Sequence, residues 1–313
     1  MAIYTKLSFV EVVQILKNYS LGNLNELRGI KEGIENTNYL LNTSSGKYIL
    51  TVYEKRVNIK ELPFFINLMS HLSSNKIICP TPISNNSGTY IFKIKNKYAS
   101  ISGFVQGKGK LNHSITACKS IGKNIAKLHL ATKNLKITRK SNLSINSWIK
   151  LNNSIKNKAN LKIPGIHFFI NKILQKLKNN WPNNIPKGII HADLFPDNIF
   201  FLKNKFSGFI DFYFACNDFL VYDLAICINA ICFNKKNKLD NQKVSAILQG
   251  YSSIRKLKKI ELDALPNLLM GAAIRFFLTR LHDSIYLQRN AIVKVKDPIE
   301  YLNKIVFHNT TTR

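Results

Sequence analysis

Apolar and β-branched residues alternate with polar residues through the first third of the chain, and glycine-containing turns interrupt them. The segments LNELRGIK, YLLNT and KYILTVYEK, separated by the turns EGIENTN and SSG, predict an antiparallel meander. Two further strands are predicted at about 89–94 and 97–105. Helical patterns predict an amphipathic helix over 8–18 with Ser8 as its N-cap, and another helix over 61–74.

After about residue 114 the apolar residues recur at helical spacing instead. In SITACKSIGKNIAKLH, Ile115, Cys118, Ile121, Ile125 and Leu128 share one face. Further helices are predicted over 166–180, 219–233, 240–250, 266–285 and 298–305, with short strand-like segments at 198–202 and 207–211.

This change of pattern predicts an α+β chain with two parts. Residues 1–105 would form a small antiparallel β-rich N-lobe, and residues 106–313 a larger, mainly helical C-lobe. A cleft between two such lobes is a natural place for a ligand.

Composition adds one strong signal, a net charge of +29 in a chain of 313 residues with 45% hydrophobic residues. Such a charge suggests a polyanionic partner. The lysines are scattered, however, and accompany asparagine and isoleucine, as in KLKNNWPNN, which is typical of an AT-rich genome. A dedicated nucleic-acid binder concentrates its charge and interleaves exposed aromatic residues. We therefore expect no specific nucleic-acid partner, and a basic nucleic-acid-binding protein remains the alternative from a different functional class.

The cysteines and the apolar segments favour a reduced, cytoplasmic protein without a membrane partner. The N-terminus carries Lys6 and Glu11 where a signal peptide needs apolar residues. The apolar segment 219–233 contains Asp223 and Asn229 and is too short to span a bilayer. No C-x-x-C pair is present, and the neighbours of each cysteine are apolar, so most of the five are expected to be small core residues: Cys79, Cys118, Cys216, Cys227 and Cys232.

The segment HADLFPDN, residues 191–198, places polar chemistry between two strand-like runs. Asp193 and Asn198 would project from one tight loop. The next strand-like segment, FSGFIDF, ends near Asp211, and a hairpin over 198–211 would bring Asp211 close to Asn198.

Phosphoryl transfer uses this set of groups. One carboxylate orients a hydroxyl nucleophile, and two oxygen ligands hold Mg²⁺. The kinase spacing H-x-D-x-x-x-x-N followed by Asp is matched by His191, Asp193, Asn198 and Asp211. The alternative is a surface loop with ordinary Asx-turns.

Single residues of this region also have simpler explanations. His191 would then only brace the loop. Asp197 is expected to be a solvated loop residue, and His129 a buried histidine with satisfied hydrogen bonds.

These motifs carry a family resemblance. HADLFPDNIFF, GFIDF and YDLAICINA resemble the aminoglycoside-phosphotransferase-like branch of the protein-kinase-like fold. With GIENTNYLLNTSSGKYILTVYEKR, GAAIRFFLTRL and KDPIEYL, the resemblance extends over nearly the whole chain and is greatest to the bacterial homoserine kinases.

The resemblance implies a bilobal protein-kinase-like fold and an activity. The expected reaction is phosphorylation of the L-homoserine hydroxyl by ATP and Mg²⁺, giving O-phospho-L-homoserine for threonine biosynthesis. The alternative within enzymes is another small-molecule alcohol kinase of this fold, of the choline or aminoglycoside type. The oligomeric state is not predicted.

By this resemblance, Asp193 is the catalytic carboxylate, assisted by His191, and Asn198 and Asp211 bind Mg²⁺. Asp223 opens a predicted helix, so it is expected to brace the catalytic loop or the helix N-terminus, with contact to substrate as the alternative. The turn that contains Gly33, Asn36 and Asn38 would cover the ATP phosphates. Turn chemistry in a hairpin is the alternative explanation for those three residues.

One position departs from the wider fold. Thr51 stands where a strand lysine usually grips the ATP phosphates, and Lys55 or Arg56 is the possible substitute.

A second apolar segment, LLMGAAIRFFLTRL at 268–281, carries Arg275 and Arg280. The helix is apolar nearly all round and should be buried, so each arginine needs a partner. Either the arginines pair internally, for example with Asp218 or Asp223, or one of them binds the homoserine carboxylate.

Overall fold

The computed structural model of the chain describes residues 4–30, 36–54, 58–234, 236–286 and 296–311. The chain divides into two compact units. The first consists of Met1–Gly107 and Ser207–Tyr213, and the second of Lys108–Phe206 and Phe214–Arg313. The nucleotide-binding role of residues 1–105 and the catalytic role of residues 106–313 stay predictions.

A six-stranded sheet forms the first unit, and its paired strands are antiparallel. The strand order is β1-β2-β3-β6-β4, and β5 also pairs with β6. The strands are β1 (Leu24–Ile30), β2 (Thr37–Thr43), β3 (Gly46–Val52), β4 (Pro82–Ile83), β5 (Ile91–Ile94) and β6 (Lys97–Gly103). Two α-helices accompany them, α1 (Phe9–Leu16) and α2 (Leu62–Ser74).

The helix α1 begins with the predicted cap. The Ser8 hydroxyl accepts a hydrogen bond from the Glu11 amide at 3.2 Å, and the Glu11 carboxylate accepts one from the Ser8 amide at 2.7 Å. This reciprocal pair satisfies two amides that a helix N-terminus leaves unpaired. The Ser8 prediction is confirmed.

One apolar core joins α1 to the sheet. Val12 and Leu16 of the helix belong to the same buried cluster as Leu41, Leu50 and Ile101 of the strands. Burying each such side chain contributes roughly 1.5–3 kcal/mol.

Helices dominate the second unit. They are α3 (Ile115–Ala131), α4 (Ile145–Ser154), α5 (Lys156–Lys162), α6 (Ile166–Asn179), α7 (Leu220–Ile231), α8 (Asn241–Ser252), α9 (Lys259–Tyr286) and α10 (Ile299–Thr311).

Short strands lie between these helices. They are β7 (Lys108–Gly109), β8 (Lys187–Ile190), β9 (Ile199–Leu202), β10 (Lys205–Phe209) and β11 (Cys216–Phe219). One small sheet has the order β10-β9-β7, and the other pairs β8 with β11 antiparallel.

Two glycines allow α3 and α8 to touch along their backbones. A Cβ at Gly122 would collide with the carbonyl oxygen of Ile247, and one at Gly250 with that of Lys119. This contact holds α3, which carries His129, against α8, which carries Tyr251.

The long helix α9 crosses the interior of the second unit. By length and composition alone it could cross a membrane, but 72% of its most apolar 18-residue window is buried. It packs against α7 and α10, as a core helix does.

The helix α9 begins seven residues before Pro266, where the sequence predicted its start. Ala264 and Leu265 are buried, so tertiary packing maintains the helix across the proline.

The antiparallel β-rich N-terminal region and the helical C-terminal region confirm the predicted fold class. The prediction missed α4 and α5 because the segment INSWIKLNNSIKNKANLK is rich in lysine and asparagine and has a weak apolar period. It also missed the short strands β7 and β11. All five cysteines are buried and free, as predicted.

Candidate active site

The segment 191–198 is a loop of the second unit that connects β8 to β9. Ile190 ends β8, and Ile199 begins β9. Both isoleucines are fully buried, so the loop is fixed at both ends by apolar packing. The predicted arrangement of a polar loop between two buried strands is confirmed.

Asp223 of α7 holds the start of this loop. Its carboxylate accepts hydrogen bonds from the backbone amides of His191 at 2.8 Å and Ala192 at 2.7 Å. Ala192 has a φ of 63°, a left-handed conformation that is unfavourable for a residue with a Cβ. The two charge-assisted hydrogen bonds stabilise this turn. Asp223 therefore braces the loop, as predicted.

A buried histidine extends the same network. His129 Nε2 lies 3.0 Å from the Asp223 carboxylate, and Nδ1 lies 2.8 Å from the hydroxyl of Tyr251. Both ring nitrogens are satisfied, which confirms that His129 is a buried structural histidine.

Asn198 fixes the carboxylate of Asp193. Its Nδ2 donates to an Asp193 carboxylate oxygen at 2.8 Å and to the Asp193 carbonyl at 2.9 Å. Both donors of the amide are therefore directed at one residue. The Asn198 Oδ1 has no hydrogen-bond donor among the described residues, and metal binding through this atom stays a prediction.

His191 is fully buried, and its contact with the loop is to the backbone. Its Nδ1 accepts a hydrogen bond from the Asp193 amide at 3.2 Å. Through this hydrogen bond, His191 helps to position Asp193. A catalytic role for His191 stays a prediction.

Asp197, four residues beyond Asp193, is exposed. Its carboxylate forms an ion pair of 3.0 Å with the partly exposed Lys296. This agrees with its predicted place as a solvated loop residue.

Asp211 belongs to the first unit and has a φ of 63°. The strands β9 and β10 are neighbours in their sheet, as the predicted hairpin requires. Among the described residues, no three His, Cys, Asp or Glu side chains form a metal-binding group. Mg²⁺ needs no such group, because it is commonly held by one or two protein oxygens together with phosphates and water. Metal binding by Asn198 and Asp211 stays a prediction.

The predicted phosphate-binding residues are partly visible. Gly33, Lys55 and Arg56 lie outside the described residues. The buried Asn36 accepts a hydrogen bond from the Glu54 amide at 3.3 Å through its Oδ1. Asn38 accepts one from the Thr51 hydroxyl at 2.8 Å, also through its Oδ1.

The Nδ2 donors of Asn36 and Asn38 make no hydrogen bond to a described residue. They match the donor chemistry that phosphate oxygens require. Nucleotide binding by Gly33, Asn36 and Asn38 stays a prediction.

Arg280 of α9 has internal partners. Its Nη1 donates to the Glu300 carboxylate at 2.7 Å and to the Asp297 carbonyl at 3.1 Å. Burial raises the pKa of Glu300, but the charges of Lys304 and Arg280 outweigh this and lower it below its usual value. Glu300 therefore stays ionised and pairs with both cations.

Arg275 differs from Arg280 because no described carboxylate forms an ion pair with it, although it interacts with Tyr222 through a side-chain hydrogen bond. It is 2% exposed, and its Nε makes no hydrogen bond to a described residue. Its guanidinium lies 4.5 Å from the centre of the Phe276 ring and 5.8 Å from that of Phe214.

Ring contacts place Arg275 beside the catalytic loop. Phe276 packs edge-on against Phe195 of the loop, with ring centres 4.7 Å apart. Burial raises the pKa of Tyr301 far above its usual value, and the charges of both Asp193 and Arg275 reach its hydroxyl. Arg275 and Phe195 of the loop thus contact the same ring, that of Phe276.

Local sequence patterns could not identify the Tyr251 contact. Tyr251 is 122 positions from His129 in the sequence. Both residues lie on helices whose apolar faces resemble those of ordinary core helices. Asp218 and Tyr222 also lie near Arg275, where each interacts with its charge. The sequence indicated Asp218 only as a possible internal partner, and no motif marks Tyr222.

A family model described as a phosphotransferase enzyme family matches residues 26–257. The homoserine kinase of Brucella anthropi is 45% identical over 308 residues, which are 98% of this chain and 94% of that protein. The homoserine kinase of Sinorhizobium fredii is 44% identical, with the same coverage of both chains.

Solved structures share the fold at much lower identity. An amicoumacin kinase in complex with AMP-PNP and Ca²⁺ superposes with a TM-score of 0.73 at 16% identity, covering 97% of this chain and 94% of that one. A microcompartment-associated aminopropanol kinase has a TM-score of 0.72 at 16% identity, covering 97% of this chain and 98% of that one. The chain therefore belongs to the phosphotransferase enzyme family and, within it, to the homoserine kinases.

Proposed function

We propose that this protein transfers the γ-phosphoryl group of ATP to the side-chain hydroxyl of L-homoserine, giving O-phospho-L-homoserine and ADP. One observation carries the proposal. The Asp193 carboxylate is fixed by Asn198 in a chain that is 45% identical over 98% of its length to a homoserine kinase. The product fits a place in threonine biosynthesis, and a soluble cytoplasmic enzyme fits that role.

Asp193 performs the acid–base part of the reaction. Its carboxylate accepts the hydrogen bond of the homoserine hydroxyl and takes its proton as the oxygen attacks the γ-phosphorus. A new oxygen–phosphorus bond forms, and the bond between the γ-phosphorus and the bridging oxygen breaks, releasing ADP. Asn198 holds the carboxylate in one orientation, which lowers the entropic cost of positioning it.

Mg²⁺ is the metal that this chemistry requires. When bound, it neutralises the charge of the nucleotide phosphates. The Asn198 Oδ1 and the Asp211 carboxylate would supply the oxygen ligands that it prefers. Gly33, Asn36 and Asn38 would donate hydrogen bonds to the phosphates.

Arg275 is the better candidate for the homoserine carboxylate. A guanidinium binds a carboxylate through two parallel hydrogen bonds. Arg280 already uses Nη1 for Glu300 and the Asp297 carbonyl, whereas no described carboxylate pairs with Arg275. Arg280 then supports the helix that carries Arg275.

The direct test measures ATP consumption by the purified protein with Mg²⁺ and a panel of alcohols. The panel contains L-homoserine, L-serine, L-threonine, choline, ethanolamine and an aminoglycoside. We expect L-homoserine to give the highest kcat/KM. Preference for choline or an aminoglycoside would instead place the protein among the other alcohol kinases of this fold.

A further inference from the structure

A chain of side-chain hydrogen bonds leads from the loop 191–198 to the connection between α8 and α9. Asp223 of α7, which holds the loop, contacts His129 of α3, and His129 contacts Tyr251 of α8. Arg255, just after α8, lies on the far side of Tyr251 and donates through Nη1 to its hydroxyl oxygen at 3.2 Å. The chain therefore continues past Tyr251 towards the start of α9.

Glu261, in the first turn of α9, fixes the guanidinium of Arg255. Arg255 Nη1 donates to one carboxylate oxygen at 2.9 Å, and Nη2 donates to the other at 3.2 Å. The Lys258 amide also donates to the second oxygen, at 3.1 Å. The Glu261 side chain is fully buried, whereas 14% of the Arg255 side chain is exposed. Because a buried carboxylate is costly unless it is paired, this two-pronged contact determines where the guanidinium lies.

The two ends of the chain fix the direction of every hydrogen bond in it. At one end, a guanidinium only donates, so the Tyr251 oxygen accepts from Arg255. At the other end, a carboxylate only accepts, so the hydrogen between Asp223 and His129 lies on Nε2 of the imidazole. His129 Nδ1 is then the acceptor for the hydrogen of the Tyr251 hydroxyl. All the hydrogens therefore point from Arg255 towards Asp223.

The surroundings of Tyr251 support this direction. Burial raises the pKa of its hydroxyl, and the charge of Arg255 only partly opposes that effect, so the hydroxyl keeps its hydrogen. The Tyr251 ring packs edge-on against the imidazole of His129, with ring centres 5.6 Å apart. The backbones of α3 and α8 also touch at Gly122 and Gly250, which holds these two rings together.

We infer that Arg255 and Glu261 are positioning residues for the loop 191–198. They hold the Tyr251 hydroxyl in place, and the hydrogen bonds of His129 carry its position to the carboxylate that fixes the loop. The inference rests on the proposed function, because the loop is the candidate catalytic loop, and it adds residues from outside the kinase motif. The simpler alternative is that the ion pair only joins α8 to α9.

Steady-state kinetics with ATP, Mg²⁺ and L-homoserine separate the two explanations. Tyr251→Phe keeps the ring but interrupts the chain, and Glu261→Gln weakens the hold on Arg255. Each should lower kcat about 2- to 30-fold, the range for changes within a coupling network, with little change in the KM of either substrate. Because Tyr251→Phe already interrupts the chain, adding Glu261→Gln to it should lower kcat no further.

The position of the hydrogen on His129 gives a second readout, which does not depend on activity. In protein labelled with ¹⁵N-histidine, ¹H–¹⁵N correlation spectra show which ring nitrogen carries the hydrogen, and His129→Asn assigns the signal. We expect the Nε2–H tautomer in the wild type. Tyr251→Phe should shift the Nδ1 signal, and Glu261→Gln should shift it in the same direction by less, because the hydroxyl remains.

Two variants serve as controls. The Asp240 side chain caps α8 by accepting hydrogen bonds from the Gln242 and Lys243 amides at 3.1 and 3.2 Å. Asp240→Ala should therefore lower the denaturation midpoint while leaving kcat and the His129 signal unchanged. Asp263→Asn changes an exposed carboxylate of α9, two residues from Glu261, and should leave all these quantities unchanged.

The inference is overturned if Glu261→Gln leaves kcat unchanged, or lowers it by the same factor with and without Tyr251→Phe. It is also overturned if Nε2 of His129 carries no hydrogen in the wild type. If Glu261→Gln does not fold, Arg255→Lys takes its place, because an ammonium cannot hold a carboxylate and a hydroxyl in the fixed geometry of a guanidinium.

The proposed function fails separately from this inference. A wild type that phosphorylates another alcohol but not homoserine would refute the proposed function, and the same variants would then be measured with that alcohol. If no alcohol is phosphorylated, the His129 spectra alone decide whether the chain has the inferred direction.

Discussion

The carboxylate of Asp223 accepts a 2.8 Å hydrogen bond from the amide of His191, across 32 positions of the chain. A fully buried residue of α7 thereby fixes the backbone of the loop that carries Asp193. The orientation of Asp193 therefore depends on Asp223, which is hydrogen-bonded to the backbone of the loop.

Asp223→Asn should damage both stability and turnover. The carboxylate accepts three hydrogen bonds, from the His191 and Ala192 amides and from His129, and a carboxamide must turn its NH₂ group toward at least one of these donors. We expect the free energy of unfolding to fall by about 3 kcal/mol and kcat to fall at least about tenfold. Denaturant unfolding and steady-state kinetics measure the two effects. A variant that matches the wild type in both would show that the loop holds its shape without Asp223.

The metal ligands are tested by magnesium titration. Asn198→Ala and Asp211→Asn should each raise the Mg²⁺ concentration that gives half-maximal activity at fixed ATP, because each removes an oxygen ligand or its charge. Asp197→Asn, in the same loop, is the matched control and should leave the Mg²⁺ concentration for half-maximal activity unchanged. Unchanged titrations for both ligand variants would exclude this pair as the magnesium site.

The two buried arginines of α9 should differ in their effect on stability. Arg280→Met breaks the contact with Glu300 and should lower the free energy of unfolding by about 1–2 kcal/mol, since Glu300 is half exposed. Arg275→Met removes a buried charge that has no ion-pair partner among the described residues, so its free energy of unfolding should equal or exceed that of the wild type. Urea unfolding of both variants decides. Equal losses would mean that Arg275 also stabilises the fold.

His308 predicts a pH dependence of stability. It is buried in α10 between the rings of Phe233 and Phe307, and it hydrogen-bonds Asn229 at 2.8 Å. Burial, and then the charge of Lys304, lower its pKa to about 4. The unfolded chain takes up the proton near pH 6.5 and the folded protein only near pH 4, so stability should decrease as the pH falls through this window.

The measurement compares the wild type with His308→Gln, which keeps a hydrogen-bond donor. Between pH 7 and pH 5, the free energy of unfolding should fall for both proteins, and the wild type should lose up to about 2 kcal/mol more than the variant. His282→Gln changes a partly exposed histidine and serves as the control. Parallel pH profiles for wild type and His308→Gln would show that His308 is not the group that titrates.

Local sequence patterns predicted the parts of the fold that depend on local chemistry. Ser8 caps α1 because its hydroxyl reaches only three residues along the chain. The loop 191–198 was recognisable because buried strands flank its polar residues.

Tertiary relationships were less accessible. Asp218 and Arg275 approach each other only after β11 and α9 have packed, and β11 is four residues long, too short for a clear period. Arg275 and Arg280 lie in the same apolar segment, so the sequence alone could not show which of them has an internal ion-pair partner. The sequence named two candidates for a carboxylate ligand and left purely internal pairing open. The contacts of Arg280 with Glu300 and Asp297 make Arg275 the better candidate, and carboxylate binding by Arg275 stays a prediction.

The central claim is that Asp193 promotes phosphoryl transfer to the homoserine hydroxyl. Its most direct test follows O-phospho-L-homoserine by ³¹P NMR in reactions of the wild type, Asp193→Asn and Asp197→Asn with ATP, Mg²⁺ and L-homoserine. We predict product from the wild type and from Asp197→Asn at similar rates, and a rate lower by about 100-fold or more for Asp193→Asn. Near-normal product formation by Asp193→Asn, or no phosphohomoserine from the wild type, would contradict the claim.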